Sequence, residues 1–508
     1  MNNHNIEIAW HYHDGTKHPN GMLLNRFHFY NPAIRPIPYK IYKDLRSITV
    51  PLDKSESFLA LKAICTDIKA EDKSQIPDLP TLARILYFSA GITKTIRYPG
   101  LGDLEFRAAA CTGALFHIEI YVVCKDLPGL QAGVYHFDPK EMKLVFLRKG
   151  DYRGLLAQAS GYDTSVKYAP LILVFTDIFT RNSVKYQARE YRHAFWDCGT
   201  ILANTLAICS AHGLTSKVIM GFVDDVVTSL LDLRAEKEAT LALVPIGFTK
   251  GSSQMPTLEP LDYETEPLSN YDYDDPEILK MHRSSSLSSV NQVKEWHAIS
   301  QGAITSAVAK KVIELTPVLV DKLPINSIES VIIKRGSPRI FSRESISFEQ
   351  LSTIIYYSTR GLSADFLQPY GSTLIDLYMI VNAVDGLSSG SYYYDRERNG
   401  LELLRKGMFR TVAGNLGLDQ NLSADGSVAV FFMSDLNVVL KRFGNRGYRA
   451  AQLEASITGG RFYLASYAQK LGATGLTFYD DSVTNFFSPH AKEKSVMFMV
   501  VIGKKPKK

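Results

Sequence analysis

Apolar residues recur along this chain at two spacings, and each spacing predicts an element. Between positions 78 and 91, Leu82, Ile85, Leu86 and Phe88 form a stripe at helical spacing, behind an N-cap candidate in Asp78. Pro80 lies near the first turn and Gly91 closes the pattern. Positions 346–361 repeat the scheme. Ser347 is the cap, Glu349 and Gln350 stand in the first turn, Leu351, Ile354, Ile355 and Tyr357 make the stripe, and Gly361 is the stop. Shorter apolar runs at 118–124, 170–175, 240–246, 376–381, 428–433 and 496–502 predict strands. Alternation at Val134 and His136, followed by 143–147, predicts a hairpin. Long helices are predicted over roughly 190–212 and 447–471, ended by Gly213 and Gly472.

These elements come in the same order twice. Gly133-Val134-Tyr135-His136-Phe137-Asp138 matches Gly390-Ser391-Tyr392-Tyr393-Tyr394-Asp395, and Leu147-Arg148-Lys149-Gly150 matches Leu404-Arg405-Lys406-Gly407. The spacing is 257 residues in both (392 − 135 and 407 − 150). Gly129-Leu130 meets Gly386-Leu387, and Tyr191-Arg192 meets Tyr448-Arg449, at the same distance. Two long copies are a tandem duplication and predict an intramolecular pseudo-dimer of α+β domains, not a solenoid. The segment 251–290 reads as a linker. It is rich in proline (Pro256, Pro260, Pro267, Pro276), then acidic (Asp272, Asp274, Asp275), then serine-rich (Ser284-Ser285-Ser286). The expected domains are therefore 1–250 and 291–508.

Composition narrows the function. At 508 residues, 45% hydrophobic and 21% charged, the chain is globular and long enough for two cores. A net charge of +5 from 57 basic and 52 acidic residues is too mild to argue for nucleic acid or a membrane surface. Five cysteines without a CxxC give neither a disulfide framework nor a cysteine zinc site. No signal peptide or spanning apolar segment is apparent, so a cytoplasmic protein is expected. His11, His13 and His18 lack a helical pair with an acidic partner. They read as an N-terminal arm that packs through Trp10 and Tyr12, not as a metal site.

The strongest candidate chemistry is Arg335-Gly336-Ser337-Pro338-Arg339. Two guanidinium forks, a hydroxyl and a glycine that lets the backbone approach suit a phosphate. With Arg107 and Cys111-Thr112-Gly113-Ala114-Leu115-Phe116-His117, with Lys185-Tyr186-Gln187-Ala188-Arg189-Glu190-Tyr191-Arg192, and with the opening Tyr12-His13-Asp14-Gly15-Thr16-Lys17-His18, it resembles the nitroreductase superfamily, specifically its SagB/ThcOx-type dehydrogenases. The resemblance covers most of the chain.

That resemblance implies FMN bound between two α+β units. The phosphate would sit on Arg335, Ser337 and Arg339, with Lys504 and Lys505 as further contacts. Backbone N–H groups of Gly472-Ala473-Thr474-Gly475, expected as a flexible segment where the long helix stops, would face the flavin ring. Cys111, Thr112 and Gly113 would reach across from the other unit. Cys111 stands where the family has serine, so the Thr112 and Gly113 N–H groups are expected to make that contact. Lys185 and Tyr186 correspond to a Lys-Tyr pair that would act as base and proton holder in azoline oxidation.

The two copies depart from the family in opposite ways. The first has Ile68-Lys69-Ala70-Glu71-Asp72 where the cradle should be, and carboxylates there repel phosphate. The second keeps the cradle but has Gln368-Pro369-Tyr370-Gly371 and Arg442-Phe443 in place of the other two segments. One FMN per chain is expected. Three readings stay open: an FMN oxidoreductase acting on a modified peptide, an NAD(P)H-dependent nitro or quinone reductase, and a non-catalytic scaffold of a modification complex. Further oligomerisation is left open.

Overall fold

The computed structural model describes residues 3–19, 34–53, 55–56, 58–69, 73–98, 102–251, 253, 255–261, 263–271, 273–299 and 311–506. Glu71 and Asp72, read above as phosphate-repelling, and Asp272 of the linker lie outside the described residues. Among the described residues no helix is long and apolar enough to cross a membrane.

The first half opens with helix α1 (Glu7–Gly15) and strand β1 (Ser47–Thr49), then helices α2 (Ala60–Cys65) and α3 (Leu79–Ala90). Asp78 caps α3 by accepting from the Thr81 N–H at 2.9 Å, and Gly91 ends it, as the sequence predicts. A hairpin of β2 (Ile92–Tyr98) and β3 (Gly102–Arg107) follows, which the apolar pattern does not announce. The main strands are β4 (Ile118–Cys124), β5 (Gly133–Asp138), β6 (Lys143–Lys149), β7 (Leu171–Ile178) and β8 (Glu238–Ile246). With β1 they form an antiparallel sheet ordered β1-β6-β5-β4-β7-β8. After β7 come the short helix α4 (Phe179–Tyr186) and the long helix α5 (Glu190–Ala211).

The second half repeats this plan. Helices α6 (Pro276–Ser284), α7 (Ile328–Lys334) and α8 (Phe348–Ser358) lead in, the last with a full capping box of Ser347 and Gln350. Its sheet contains β9 (Val312–Glu314), β10 (Asp376–Val381), β11 (Gly390–Asp395), β12 (Gly400–Lys406), β13 (Val428–Ser434), β14 (Gly472–Gly475) and β15 (Ser495–Gly503), ordered β14-β15-β13-β10-β11-β12-β9. Helices α9 (Leu436–Phe443) and α10 (Asn445–Ala468) occupy the places of α4 and α5. The fold is α+β with two large sheets, one in each half, as the duplication predicts.

Two expectations are corrected. The long helix α10 stops before Gly472. Lys470 takes the left-handed turn at φ +63°, the place Gly213 takes after α5 at φ +67°, and the Leu471 N–H returns to the Ser466 carbonyl at 2.9 Å. The segment read as linker also holds structure. Within it, α6 buries Ile278 and Met281, and Ser284 and Ser285 are fully buried. Ser285 serves a buried arginine, its hydroxyl accepting from Arg449 at 2.7 Å, and the Ser284 carbonyl accepts from Asn445 at 3.2 Å.

The halves meet through α5 and α10, buried along almost their whole length. A Cβ added to Gly199 would lie 1.9 Å from the Ser456 hydroxyl, and one added to Gly460 would lie 2.7 Å from the Ala203 Cβ. Each pair is one residue and its own counterpart 257 positions on. Self-to-self contact is the mark of a two-fold interface. Charges cross it reciprocally. Arg189 and Arg192 reach Asp480 of the second half (3.2 and 2.6 Å), while Arg446 and Arg449 reach Asp224 of the first (2.7 and 3.1 Å). Helices α1 and α6 close both ends alike. The His13 and His282 carbonyls accept from Arg192 and Arg449 at 2.6 and 2.7 Å, and Thr16 stands to Arg192 as Ser285 does to Arg449.

Burial alone would raise the Asp480 and Asp224 carboxyls, but the paired arginines bring both below the ordinary carboxylate value. Their contribution to stability is therefore present above the unfolded-state pKa near ~3.9, and it is lost only as the pH falls below that. Asp480→Ala leaves two buried guanidinium groups without their anion. It should cost about 3–5 kcal/mol of unfolding free energy at neutral pH, read by urea denaturation.

Candidate functional site

Three short pieces meet where the halves touch. The first is the turn at Cys111–Gly113, after hairpin β2–β3. Gly113 has φ +62°, and a Cβ there would lie 2.9 Å from Tyr186 Oη and 3.3 Å from Lys185 Nζ. Glycine is needed both for the backbone angle and for this approach. Lys185 and Tyr186 end α4, with the ammonium 5.0 Å from the Tyr186 ring centroid. The Tyr186 ring stands edge-on to His193 at 4.6 Å.

The second piece is the Arg335–Arg339 loop of the other half. The Arg335 guanidinium donates to the Arg107 and Ala108 carbonyls, both at 2.9 Å, just ahead of the Cys111 turn. Arg339 is exposed. Burial lowers the Lys185 pKa, and the charges of Arg35 and Arg339 lower it further. Cations from both halves thus converge at one corner. Arg35 also donates to the Ala114 carbonyl at 2.7 Å, so it flanks the same turn. Arg35 and Arg339 enter no ion pair among the described residues.

The third piece is the edge of the second sheet. The Ser337 hydroxyl lies 3.4 Å from Tyr463 Oη, which also accepts from the Gly475 N–H. A Cβ on Gly472 would lie 2.8 Å from Pro338 Cγ and 3.1 Å from Lys505 Cγ. Lys505 sits 4.8 Å from the Tyr467 ring centroid.

Several expected contacts are used otherwise. The Thr112 N–H and hydroxyl both donate to the Asp197 carboxylate (2.8 Å each), and the Cys111 thiol donates to it at 3.0 Å. Thr112 therefore has no N–H to give a flavin, and Cys111 anchors the turn. Burial pushes the Cys111 thiol up, reinforced by Asp197, which makes it inert. Gly472-Ala473-Thr474-Gly475 is strand β14, not a flexible segment. Ala473 and Thr474 are buried, and the Gly475 N–H is taken by Tyr463. Lys504 directs its ammonium at Glu344, 3.7 Å away, whereas Lys505 lies beside the loop.

Among the described residues, the pseudo-symmetric corner is filled. Helices α3 and α8 start 269 residues apart (348 − 79), which puts Thr66 and Ile68 where Arg335 and Ser337 stand. Gly361 packs so tightly there that a Cβ would lie 1.8 Å from the Cys65 carbonyl oxygen. Arg461 of α10 fills the corner and donates to the Arg360 and Gly361 carbonyls at 2.6 and 3.0 Å. Burial pushes its pKa down to about 10. The position 257 residues earlier is Asn204. What remains is a cavity of about 10 Å³, room for a single water.

Arg35, Asp197 and Tyr463 were not legible in advance as site residues. Asp197 had a signal. Its counterpart Glu454 also receives a turn, accepting from Thr373 Oγ1 at 2.5 Å and the Leu374 N–H at 2.7 Å, and burial raises it to about 7. A carboxylate at both positions of the repeat marks a shared task.

This geometry has relatives. Residues 88–248, spanning the end of α3 through β8, match the Nitroreductase family, and the chain carries a nitroreductase family domain there. Over its whole length the chain has the fold of a nitroreductase-like protein of Anabaena variabilis, with TM-score 0.77 and 24% identity, covering 98% of this chain and 99% of that one. It is 25% identical to the nitroreductase-like protein MJ1384 of Methanocaldococcus jannaschii over 169 residues, 33% of this chain and 80% of that one. It is 29% identical to the microcin B17-processing protein McbC of Escherichia coli over 134 residues, 25% of this chain and 49% of McbC. The chain thus spans about half the length of McbC.

Replacing a cation beside Lys185 should raise that lysine's pKa, since less repulsion opposes its proton. The expected outcome for Arg339→Gln is an upward shift in the Lys185 titration, followed by NMR of isotopically dimethylated lysines. An unshifted resonance would place Arg339 away from this corner.

Proposed function

We propose that the protein is an FMN-dependent oxidoreductase with one flavin site per chain, between its halves. The observation that carries this reading is the asymmetry of the two corners. One gathers Lys185 and Arg35 of the first half with Arg339 of the second, without a counter-anion on either arginine among the described residues. The other is filled by Arg461. Two guanidinium groups that enter no ion pair among the described residues, beside a lysine, are suited to a dianion such as a phosphate monoester. The donor set fits FMN: guanidinium groups, the Ser337 hydroxyl, and a glycine at 336 whose added Cβ would still be 3.5 Å from Tyr467 Oη.

Arg335, Ser337, Arg339 and Lys505 would hold the phosphate. The Gly113 turn would close the site from the first half, and β14 with Tyr463 would wall it from the second. Bound FMN would supply two-electron chemistry, accepting or delivering a hydride. The chain's own residues do the rest. Lys185, half-buried and among cations, holds its amine closer to the neutral form that can take a proton. Tyr186, beside it on the Gly113 turn, can hold or pass that proton. The similarity to McbC supports a modified peptide as substrate, with an azoline ring that would lose a proton to Lys185 and a hydride to bound FMN. We take the first domain as 1–250 and let the second begin at α6, because α6 repeats the contacts of α1.

Arg339→Ala should weaken FMN binding by about 1.5–3 kcal/mol, roughly 10–150-fold, in a fluorescence titration. Lys185→Ala should keep FMN and lose azoline turnover. Rapid bleaching by NAD(P)H with no azoline turnover would replace the dehydrogenase reading by a reductase one. Failure to bind FMN at all would leave the scaffold reading.

A further inference from the structure

Beneath the Gly113 turn lies a buried cluster that neither the fold nor the phosphate cradle explains. His117 points one ring nitrogen at each of two carboxylates. Nε2 lies 2.8 Å from Asp197 and Nδ1 lies 2.6 Å from Asp177, with Glu190 3.4 Å from Nδ1. His117, Asp177 and Glu190 are fully buried and Asp197 nearly so. Asp197 already accepts from the Thr112 N–H, the Thr112 hydroxyl and the Cys111 thiol, so it is an ionised acceptor and Nε2 must carry a proton. The short contact on the other side places a second proton between Nδ1 and Asp177.

The repeat supplies a control. At the positions 257 residues on, the second half has Leu374 for His117, Ser434 for Asp177 and Gly447 for Glu190, and it keeps a carboxylate only at Glu454. The second half forms the same strand and the same long helix without the cluster. The fold does not need these charges, and burying them opposes stability. They survive only in the half that carries Lys185 and Tyr186.

We infer that His117 is a positioning residue: doubly protonated between Asp177 and Asp197, it fixes the Asp197 carboxylate that clamps the Cys111–Gly113 turn against Lys185 and Tyr186. The inference rests on the role proposed for that pair. Burial alone would lower the His117 pKa, but Asp177 first, then Asp197 and Glu190, hold it well above the ordinary value. Burial and Asp177 push Glu190 well up, so Glu190 is the neutral acid of the group. Both oxygens of Glu190 and Asp177 Oδ2 are buried without a hydrogen-bond partner, an environment that disfavours a second full negative charge beside Asp177. Cys198 and His193 also feel this charge from the same long helix.

Two measurements test it. In the wild-type protein, ¹⁵N NMR of His117 should show both ring nitrogens protonated from about pH 6 to about pH 8. A single bare ring nitrogen, or a stoichiometric divalent metal in its place, overturns the inference. In the double variant His117→Leu with Asp177→Ser, which installs the second-half residues, the fold should persist. The turn should loosen, and Lys185, faced by Arg35, Arg339 and Tyr186, should titrate upward toward an ordinary lysine. Azoline turnover should fall about 10–100-fold with KM little changed. A lower melting temperature with an unchanged Lys185 titration means the cluster is only structural, and overturns the inference. Wild-type protein that takes up no FMN would sink the functional reading by itself, while leaving the His117 result to stand or fall on the NMR.

Discussion

Everything in this molecule is arranged around the place where two long helices cross glycine against small side chain, Gly199 on Ser456 and Gly460 on Ala203. At Gly199 and Gly460 the backbone of one helix meets a residue that is its own counterpart in the other. Neither contact tolerates a Cβ without movement, so the crossing point and the two-fold relation are set together. The four interface arginines then have one arrangement available. Each pair runs out of its own helix and finds an aspartate in the opposite half. Such buried ion pairs add little net stability compared with apolar packing, but a misaligned one is severely unfavourable. They act against wrong registers more than they strengthen the right one.

The crossing also decides where chemistry can happen. It brings the end of α4 in the first half beside the loop after α7 in the second. In a symmetric dimer both corners would be alike. A fused duplication releases one corner from that requirement, and here the corners have diverged. Arg461 stitches one shut by binding two carbonyls, while at the other Arg335 binds two carbonyls of the opposite half and leaves Arg339 exposed beside Lys185. Arg335 bridges the halves through backbone oxygens of the first, whereas Arg461 binds carbonyls of its own half and fills its corner from that side.

Much of this was legible in the sequence, for identifiable reasons. The caps at Asp78 and Ser347, the strands at 118–124 and 376–381, and both long helices follow from local pattern, and the 257-residue spacing gave the pseudo-dimer. Where local chemistry was a poor guide, a distant partner had intervened. Ser285 and Ser286 look like a linker until their hydroxyls are seen to accept from Arg449. Gly472 looks like a helix stop, but Lys470 turns the chain and Gly472 is kept small for Pro338 and Lys505. Thr112 looked free to meet a ligand because Asp197, 85 residues away, carries no mark of its task in the local sequence. Arg461 is an unremarkable helical arginine until its two carbonyl partners, at the end of α8 in the same half, are seen.

The central claim is that only one of two equivalent corners remains open to a flavin. The most direct measurement is the number of FMN molecules bound per chain, from isothermal titration of flavin-free protein with the protein concentration fixed by amino-acid analysis. The account predicts one site, carried by the corner at Arg339 and Lys185. Two sites of comparable affinity would mean that Arg461 does not close the second corner, and would contradict it.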